Sequence, residues 1–443
     1  MALIFSISGL RGIVGRDLTP HIIYRYAVLF GRYVKPGRVV VGRDARGSGI
    51  AFRDAVIQGL ISADCSVVDL GIVPTPTVVF MVKSLKANGG IAVTASHNPS
   101  NWNALKFISE EGRFFNGREF KRFKRFIDGR DVYQEISSSS GFERSSVDGV
   151  GKQITKIKHA LRMDSKAGAS LRVAVDAVNG AGSIALPELL EALGCRVYRH
   201  NCRFSSDFPR GPEPTPENIK GLCRFVKEKG LDLGFACDPD CDRLSVVDEQ
   251  GRAVGEEKTL VLATDLILSR TKGNVVTNLS TTALMDFITK KYNCRLFRTG
   301  VGEANVVAKM LKVDGVIGGE GNGGVIYPRI NLTRDALVGA ALIIKLLKRR
   351  NKRLSEIIDL YPKYYMIKKK VRINAEIFER RRKKIIKKFP GRINTLDGLR
   401  ITCPDYWLHI RPSQTEPLVR IIGEGVDKRR INGYIREIKE IFS

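Results

Sequence analysis

The stretch GFACDPDCDRLSVVD, residues 234–248, sets Asp238, Asp240 and Asp242 at every second position. In an extended segment residues i, i+2 and i+4 project the same way, so three carboxylates share one face. Two unit charges about 4 Å apart repel by ~1 kcal/mol in water and ~4 kcal/mol in a partly dry site. Such a loop calls for a cation, and carboxylate oxygens suit the hard ions Mg²⁺ and Ca²⁺. A calcium EF-hand is weighed and rejected. Glu249 stands at position twelve from Asp238, but the turn glycine is replaced by Arg243, and the flanks LDLGFA and RLSVVD alternate like strands. Cys237 and Cys241 flank the acids as soft donors, yet the second ligand pair of a zinc site is missing; they read as small semi-buried thiols.

Three other polar loops carry usable chemistry. In VTASHNPSNWNALKF (93–107) Ser96 follows an apolar strand, with His97 beside it and Lys106 ten residues on. A serine hydroxyl needs a base or a cation to become a useful nucleophile, and both stand within reach. No G-x-S-x-G elbow exists, so ester hydrolysis is disfavoured; taken alone, the loop reads first as a turn capping the next helix, with His97 a satisfied polar residue. In VIGGEGNGGVIY (316–327) Gly319, Gly321 and Gly324 match G-x-G-x-x-G. A dinucleotide site needs a helix directly after that loop, and VIYP reads as a strand. Glu320 and Asn322 offer acceptors and donors suited to sugar hydroxyls, against the plainer reading of a glycine turn. In IRPSQTEPLVR (410–420) Arg411, Ser413, Gln414, Thr415 and Arg420 are phosphate-binding types, an arginine fork completed by hydroxyls and backbone N–H groups; the alternative is a polar turn between strands.

The elements that must position these loops repeat. Apolar runs of strand length alternate with helix-like segments, as in α/β layers. RVVVG (38–42), CSVVDLG (65–71) and GGIAVTASHNP (89–99) form a first unit. RVAVDAVNGAGS (172–183), CRVYRHN (195–201) and LDLGFACDPDCD (231–242) form a second, and NVVTNLST (274–281), CRLFRTG (294–300) and VDGVIGGEGNGG (313–324) a third. Each places a polar loop after its third strand, where open α/β sheets gather ligands. Ser/Gly-rich EISSSSGFERSSVDG (135–149) reads as a linker. The expected domains are 1–145, 146–252, 253–365 and a smaller α+β domain over 366–443.

The bulk properties set limits. With 443 residues, 43% apolar, the chain has ample core for two to four domains. Eight scattered cysteines without paired spacing exclude a disulfide scaffold. The first residues, MALIFSISGLRGIVG, lack the basic start and long apolar stretch of a signal peptide, and no run approaches the ~20 apolar residues of a membrane span, so a cytoplasmic location without membrane contact is expected. The net charge of +28 is concentrated late, in KLLKRRNKRL (345–354), KKKVR (368–372) and ERRRKKIIKKF (379–389). These tracts suit solvated helix faces or a field that attracts anionic substrates. Nucleic-acid binding is the alternative of another class, and aromatics are not interleaved as a stacking platform would require.

Taken together the four loops, with SGLRGIVG (8–15), GIVPTPT (71–77) and RPSQTEP (411–417), resemble the α-D-phosphohexomutases over essentially the whole chain. The resemblance implies four domains around a central cleft, three similar α/β domains and a small C-terminal one. It implies a phosphoserine at Ser96, Mg²⁺ on Asp238, Asp240, Asp242 and that phosphoserine, and a hexose 1,6-bisphosphate intermediate. Lys106 and His97 become the candidates for proton transfer, and Arg11 and Arg243 line the transfer site. Glu320 and Asn322 read the sugar, and Arg411, Ser413, Gln414, Thr415 and Arg420 hold the non-reacting phosphate. The implied partner is a phosphosugar, and the implied assembly a monomer or homodimer. Two positions depart from the family pattern. Asn322-Gly323-Gly324 stands where many members carry Ser-Gly-His, and Gln414 where Asn is common. NPSNWNALKF and GGEGNGGV look more like the phosphoglucosamine mutase branch and its archaeal-type relatives, which points to glucosamine phosphates ahead of glucose or mannose phosphates.

Overall fold

The computed structural model describes residues 3–35, 37–128, 144–413 and 418–442. The chain divides into two compact units, one made of Met1–Leu266 and Asn322–Glu356, the other of Ile267–Gly321 and Ile357–Ser443.

The first unit holds two sheets. In one, strand Arg38–Arg43 lies parallel between Ser66–Ile72 and Gly89–Val93. Trp102–Ser109 then runs antiparallel to Gly89–Val93, and Gly9–Ile13 antiparallel to Trp102–Ser109. The Val39–Val41 run is fully buried, as expected of a parallel strand covered on both faces. Helix Pro20–Val34 begins with proline in its first turn, and the Thr19 side chain accepts from the Ile22 N–H; both are favoured helix starts. Its Phe30 packs on Phe107, which packs on Phe123, with ring centroids 5.2 and 5.0 Å apart.

In the other sheet Arg172–Asp176 lies parallel between Arg196–His200 and Leu233–Cys237, and Leu244–Asp248 folds back antiparallel on Leu233–Cys237. The serine loop and the acidic loop are therefore turns between a parallel strand and its antiparallel return: residues 94–101 in the first sheet, 238–243 in the second. Helix Ala336–Arg350 starts beside the second loop, capped by the Asp335 side chain, which accepts from Val338 N–H.

The last part of the expected linker is ordered. Arg144–Ser146 forms an edge strand parallel to Ser66–Ile72, and Asp148 caps helix Gly149–Leu161. The Arg144 guanidinium reaches Asp69 at 2.6 Å, anchoring a segment whose serines alone suggested a flexible tether. Residues 135–143 lie outside the described ones.

The second unit also has two sheets. Asn274–Asn278 lies parallel between Leu296–Thr299 and Gly315–Glu320. A five-stranded antiparallel sheet runs in the order Tyr365–Val371, Val419–Gly425, Tyr406–Pro412, Leu399–Thr402, Arg392–Asn394. Helices Ala375–Lys388 and Lys428–Phe442 supply Phe378, Ile385, Ile431 and Ile435 to its core. Buried Glu424 ties the two sheets together, accepting from Thr282 Oγ1, Ala283 N and Trp407 Nε1 at 2.5–2.7 Å. The late basic tract emerges as the solvent side of helix Ala375–Lys388, where Arg380, Arg381, Lys383, Lys384, Lys387 and Lys388 are exposed. No helix among the described residues is long and apolar enough to cross a membrane.

Candidate active site

Ser96 sits in the left-handed backbone region, φ +49°, which costs a non-glycine residue energy and persists only where the surroundings impose it. The imposing group is Arg46, fully buried. Its guanidinium donates to the carbonyls of Ser96 (2.5 Å), Asn98 (2.8 Å), Pro99 (2.5 Å) and Trp102 (3.1 Å). Its Nε pairs with Asp44 at 2.9 Å, and Asp44 also accepts from Thr94 Oγ1. Thr94 Oγ1 in turn accepts from the Ser96 N–H. The loop leads into strand Trp102–Ser109, so the alternative of a helix-capping turn is overturned.

The structure brings Ser96 to the acids. Ser96 Oγ donates to Asp238 Oδ2 at 3.0 Å, across 142 residues of sequence. Asp238, Asp240 and Asp242 are fully buried, and one ligand atom from each lies within 4.8 Å of the others. Each carboxylate commits an oxygen to a fixed donor. Asp238 Oδ1 accepts from the N–H groups of Asp242 and Arg243. Asp240 Oδ2 accepts from Lys106 Nζ (2.6 Å) and Thr75 Oγ1 (2.8 Å), and Asp242 Oδ2 from Arg334 Nη2 (2.6 Å). The Oδ1 atoms of Asp240 and Asp242 are buried without a hydrogen-bond partner. Buried polar atoms are ordinarily paired, so two orphaned carboxylate oxygens beside a third acid fit a hard divalent ion. Burial, then Asp242 and Asp240, push the Asp238 carboxyl well above the usual carboxylate range. Burial opposes charge on Asp240 too, but Lys106 and its hydrogen bonds outweigh it and hold that carboxyl low.

Cations close the site. Arg11, on strand Gly9–Ile13, reaches Asn98 Oδ1 at 3.5 Å. Arg243 Nη2 lies 2.9 Å from His97 Nδ1, and its Nη1 bonds Glu213. Arg243, burial, Arg334 and Arg11 together drive the His97 imidazole well below its ordinary range, so it stands neutral, its Nδ1 3.5 Å from Ser96 Oγ. Burial disfavours the Lys106 ammonium, but Asp240 and Asp242 more than compensate and raise its pKa.

In the second unit Arg411 and Arg420 stand directly opposite each other across paired strands. Like charges so placed repel, an arrangement suited to an anion. Burial lowers the Arg411 pKa, Asp397 and Glu320 work against that, and Arg420 adds to it, so Glu320 shares this neighbourhood. Glu320 is buried, its Oε1 accepting from Asn278 Nδ2 (2.8 Å) and Gly302 N (2.9 Å). Ser413 N donates to Leu418 O at 2.8 Å, closing the loop base; Gln414 and Thr415 lie outside the described residues. Asn322 belongs to the first unit, its Oδ1 buried without a hydrogen-bond partner.

Models of the phosphoglucomutase/phosphomannomutase family match the chain in order: α/β/α domain I over residues 2–131, domain II over 152–251, domain III over 255–364 and the C-terminal domain over 368–441. The chain belongs to this family. It is 36% identical to a phosphoglucomutase/phosphomannomutase of Thermococcus kodakarensis, covering 98% of this chain and 97% of that one. It is 34% identical to a probable phosphoglucosamine mutase of Methanopyrus kandleri, covering 100% and 97%. The crystal structure of a putative phosphomannomutase from Thermus thermophilus superposes with a TM-score of 0.85 at 26% identity, covering 99% and 98%. As a phosphohexomutase the chain is an isomerase.

Several residues of this phosphohexomutase site escaped sequence reasoning. Arg46, Thr75, Glu213 and Arg334 lie far in sequence from the atoms they hold, as does Asp44 from Thr94. Thr75 had one signal, its place in GIVPTPT, and the others had none.

Proposed function

We propose that this phosphohexomutase interconverts glucosamine 6-phosphate and glucosamine 1-phosphate, with Ser96 carrying the transferred phosphoryl group. The single observation that carries the phosphoryl-transfer reading is the hydrogen bond from Ser96 Oγ to Asp238 of the aspartate trio. Phosphoryl transfer asks mainly for positioning and charge neutralisation, and Ser96 is held by a rigid frame among Arg11, Lys106 and Arg243. In the first half-reaction the sugar hydroxyl oxygen bonds to phosphorus as the Ser96 Oγ–P bond breaks, giving the hexose 1,6-bisphosphate. The hydroxyl proton leaves and Ser96 Oγ gains one, with His97 and Lys106 the groups placed to handle them. In the second, Ser96 Oγ takes back the phosphoryl group from the other end of the sugar. Mg²⁺ on Asp238, Asp240 and Asp242 supplies the positive charge that balances the phosphoryl oxygens. Arg411 and Arg420, with Ser413, Gln414 and Thr415, grip the non-reacting phosphate, and Glu320 and Asn322 contact the sugar.

The glucosamine assignment is supported by the likeness to the Methanopyrus kandleri protein. The likeness to the Thermococcus kodakarensis protein supports glucose or mannose phosphates as the second reading. Turnover of the three sugar 1-phosphates with catalytic bisphosphate and Mg²⁺ separates them, glucosamine 1-phosphate being expected to give the highest kcat/KM. Ser96→Ala is expected to abolish turnover and remove the phosphoserine mass increment with the circular dichroism spectrum unchanged. Full turnover by that variant would rule out the covalent relay.

A further inference from the structure

We infer that Arg334 is a positioning residue of the acidic site, and that residue 324 is glycine because the arginine stem occupies its side-chain space. The inference rests on the mutase reading of that site. Arg334 lies between strand Gly324–Ile326 and helix Ala336–Arg350. Its Nη2 meets Asp242 Oδ2 at 2.6 Å, with the arginine side chain 11% exposed and the aspartate fully buried. Lys106, the other cation beside that oxygen, stands at 3.8 Å, too far for a hydrogen bond. Arg334 thus does for Asp242 what Lys106 and Thr75 do for Asp240. It fixes one carboxylate oxygen and leaves Oδ1, buried without a hydrogen-bond partner, as the atom that would take a divalent ion. Outer partners of this kind set the orientation of metal ligands.

The arginine is itself held from below. Asp335 accepts from Gln153 Nε2 (2.7 Å), Asn331 Nδ2 (3.2 Å) and Val338 N (3.1 Å). Ala336 N donates to Cys241 O inside the acidic loop at 3.3 Å. A Cβ added at Gly324 would fall 2.2 Å from Arg334 Cδ and 2.6 Å from its Cγ, distances no side chain tolerates. The arginine stem and a side chain at position 324 therefore exclude one another.

The test is a double-mutant cycle on the full chain, read by calorimetric titration with Mg²⁺, thermal unfolding, and kcat and KM. Arg334→Met is expected to weaken Mg²⁺ binding ~10–100-fold, with Arg334→Lys intermediate. Gly324→Ala is expected to weaken it in the wild-type background, by displacing the arginine, and to change it less than about twofold in the Arg334→Met background, because coupled positions are not additive. Mg²⁺ binding by Arg334→Met as tight as wild type, with or without a drop in Tm, overturns the inference. So does an equal effect of Gly324→Ala in both backgrounds. Should Arg334→Met not fold, Arg334→Lys and Gly324→Ala are compared in the same way, alone and combined. A wild-type chain that binds no Mg²⁺ overturns the reading of the acidic site and this inference with it, whereas normal wild-type binding with unaltered variants overturns only this inference.

Discussion

Replacing Arg46 by methionine, which keeps the length and the apolar stem, removes the group that holds the Ser96 loop. Five hydrogen bonds disappear: four to the carbonyls of Ser96, Asn98, Pro99 and Trp102, and one to Asp44. A hydrogen bond to a charged group is worth ~1.5–3 kcal/mol, but the five share one guanidinium and do not add. The firmer bound is the cost of breaking a buried ion pair from one side, ~3–5 kcal/mol, since Asp44 and Arg46 have no side-chain exposure. Against a total stability of ~5–15 kcal/mol, this is a large share. At ~2–4 °C per kcal/mol for a domain of moderate size, the first unit should unfold ~6–20 °C earlier by scanning calorimetry at neutral pH. Ser96, released from φ +49°, should relax toward the ordinary region, and turnover should fall even at temperatures where the variant is folded. Arg46→Lys keeps a charge for Asp44 but cannot fork to four carbonyls, so it should recover part of the Tm and little of the turnover. A Tm within about 2 °C of wild type with full activity would refute the claim that Arg46 imposes the serine's conformation.

Gly180→Ala would put a Cβ 2.5 Å from Pro239 O and 2.6 Å from Pro239 Cα, pushing the acidic loop away from Ser96. A displacement of about 1 Å should lower kcat on the order of 100-fold, and unchanged kcat at saturating Mg²⁺ would contradict the packing. His409 is held down to about 4 by burial foremost, with Arg400 and Arg411 adding and the Asp397 carbonyl and charge opposing. Its Nε2 faces Asp397 O and its Nδ1 faces Ser280 Oγ. The unfolded chain takes up this proton near pH 6.5 and the folded one only near 4, so the contribution is present above pH 6.5 and is lost as pH falls toward 4. The loss should approach ~3 kcal/mol and show as a steeper acid decline in the second unit's unfolding free energy than in a His409→Gln variant; parallel pH profiles would exclude it.

The acidic trio was legible in the linear chain because its chemistry is local: three acids on one strand face repel whatever surrounds them. The serine loop taken alone read as a turn, and Ser96 became a candidate only through the order and spacing of all four loops. The strand-helix alternation was legible for the same reason as the trio, since it depends on side-chain periodicity along a few residues. The order at the end of the linker, residues 144–149, was not legible because serine-rich composition speaks of flexibility, while Arg144 is anchored by Asp69, 75 residues before it.

Residue types and short spacings by themselves marked an acidic loop that calls for a cation, a candidate serine and arginines of phosphate-binding type on α/β scaffolding. Only the tertiary structure decided which oxygen of Asp240 and of Asp242 is spent and which is left over, through Lys106, Thr75 and Arg334, 134, 165 and 92 residues from the acids they hold. Hydrogen bonding is short-ranged and directional, so partners that distant in sequence acquire an energy only once packing has brought them within about 3 Å.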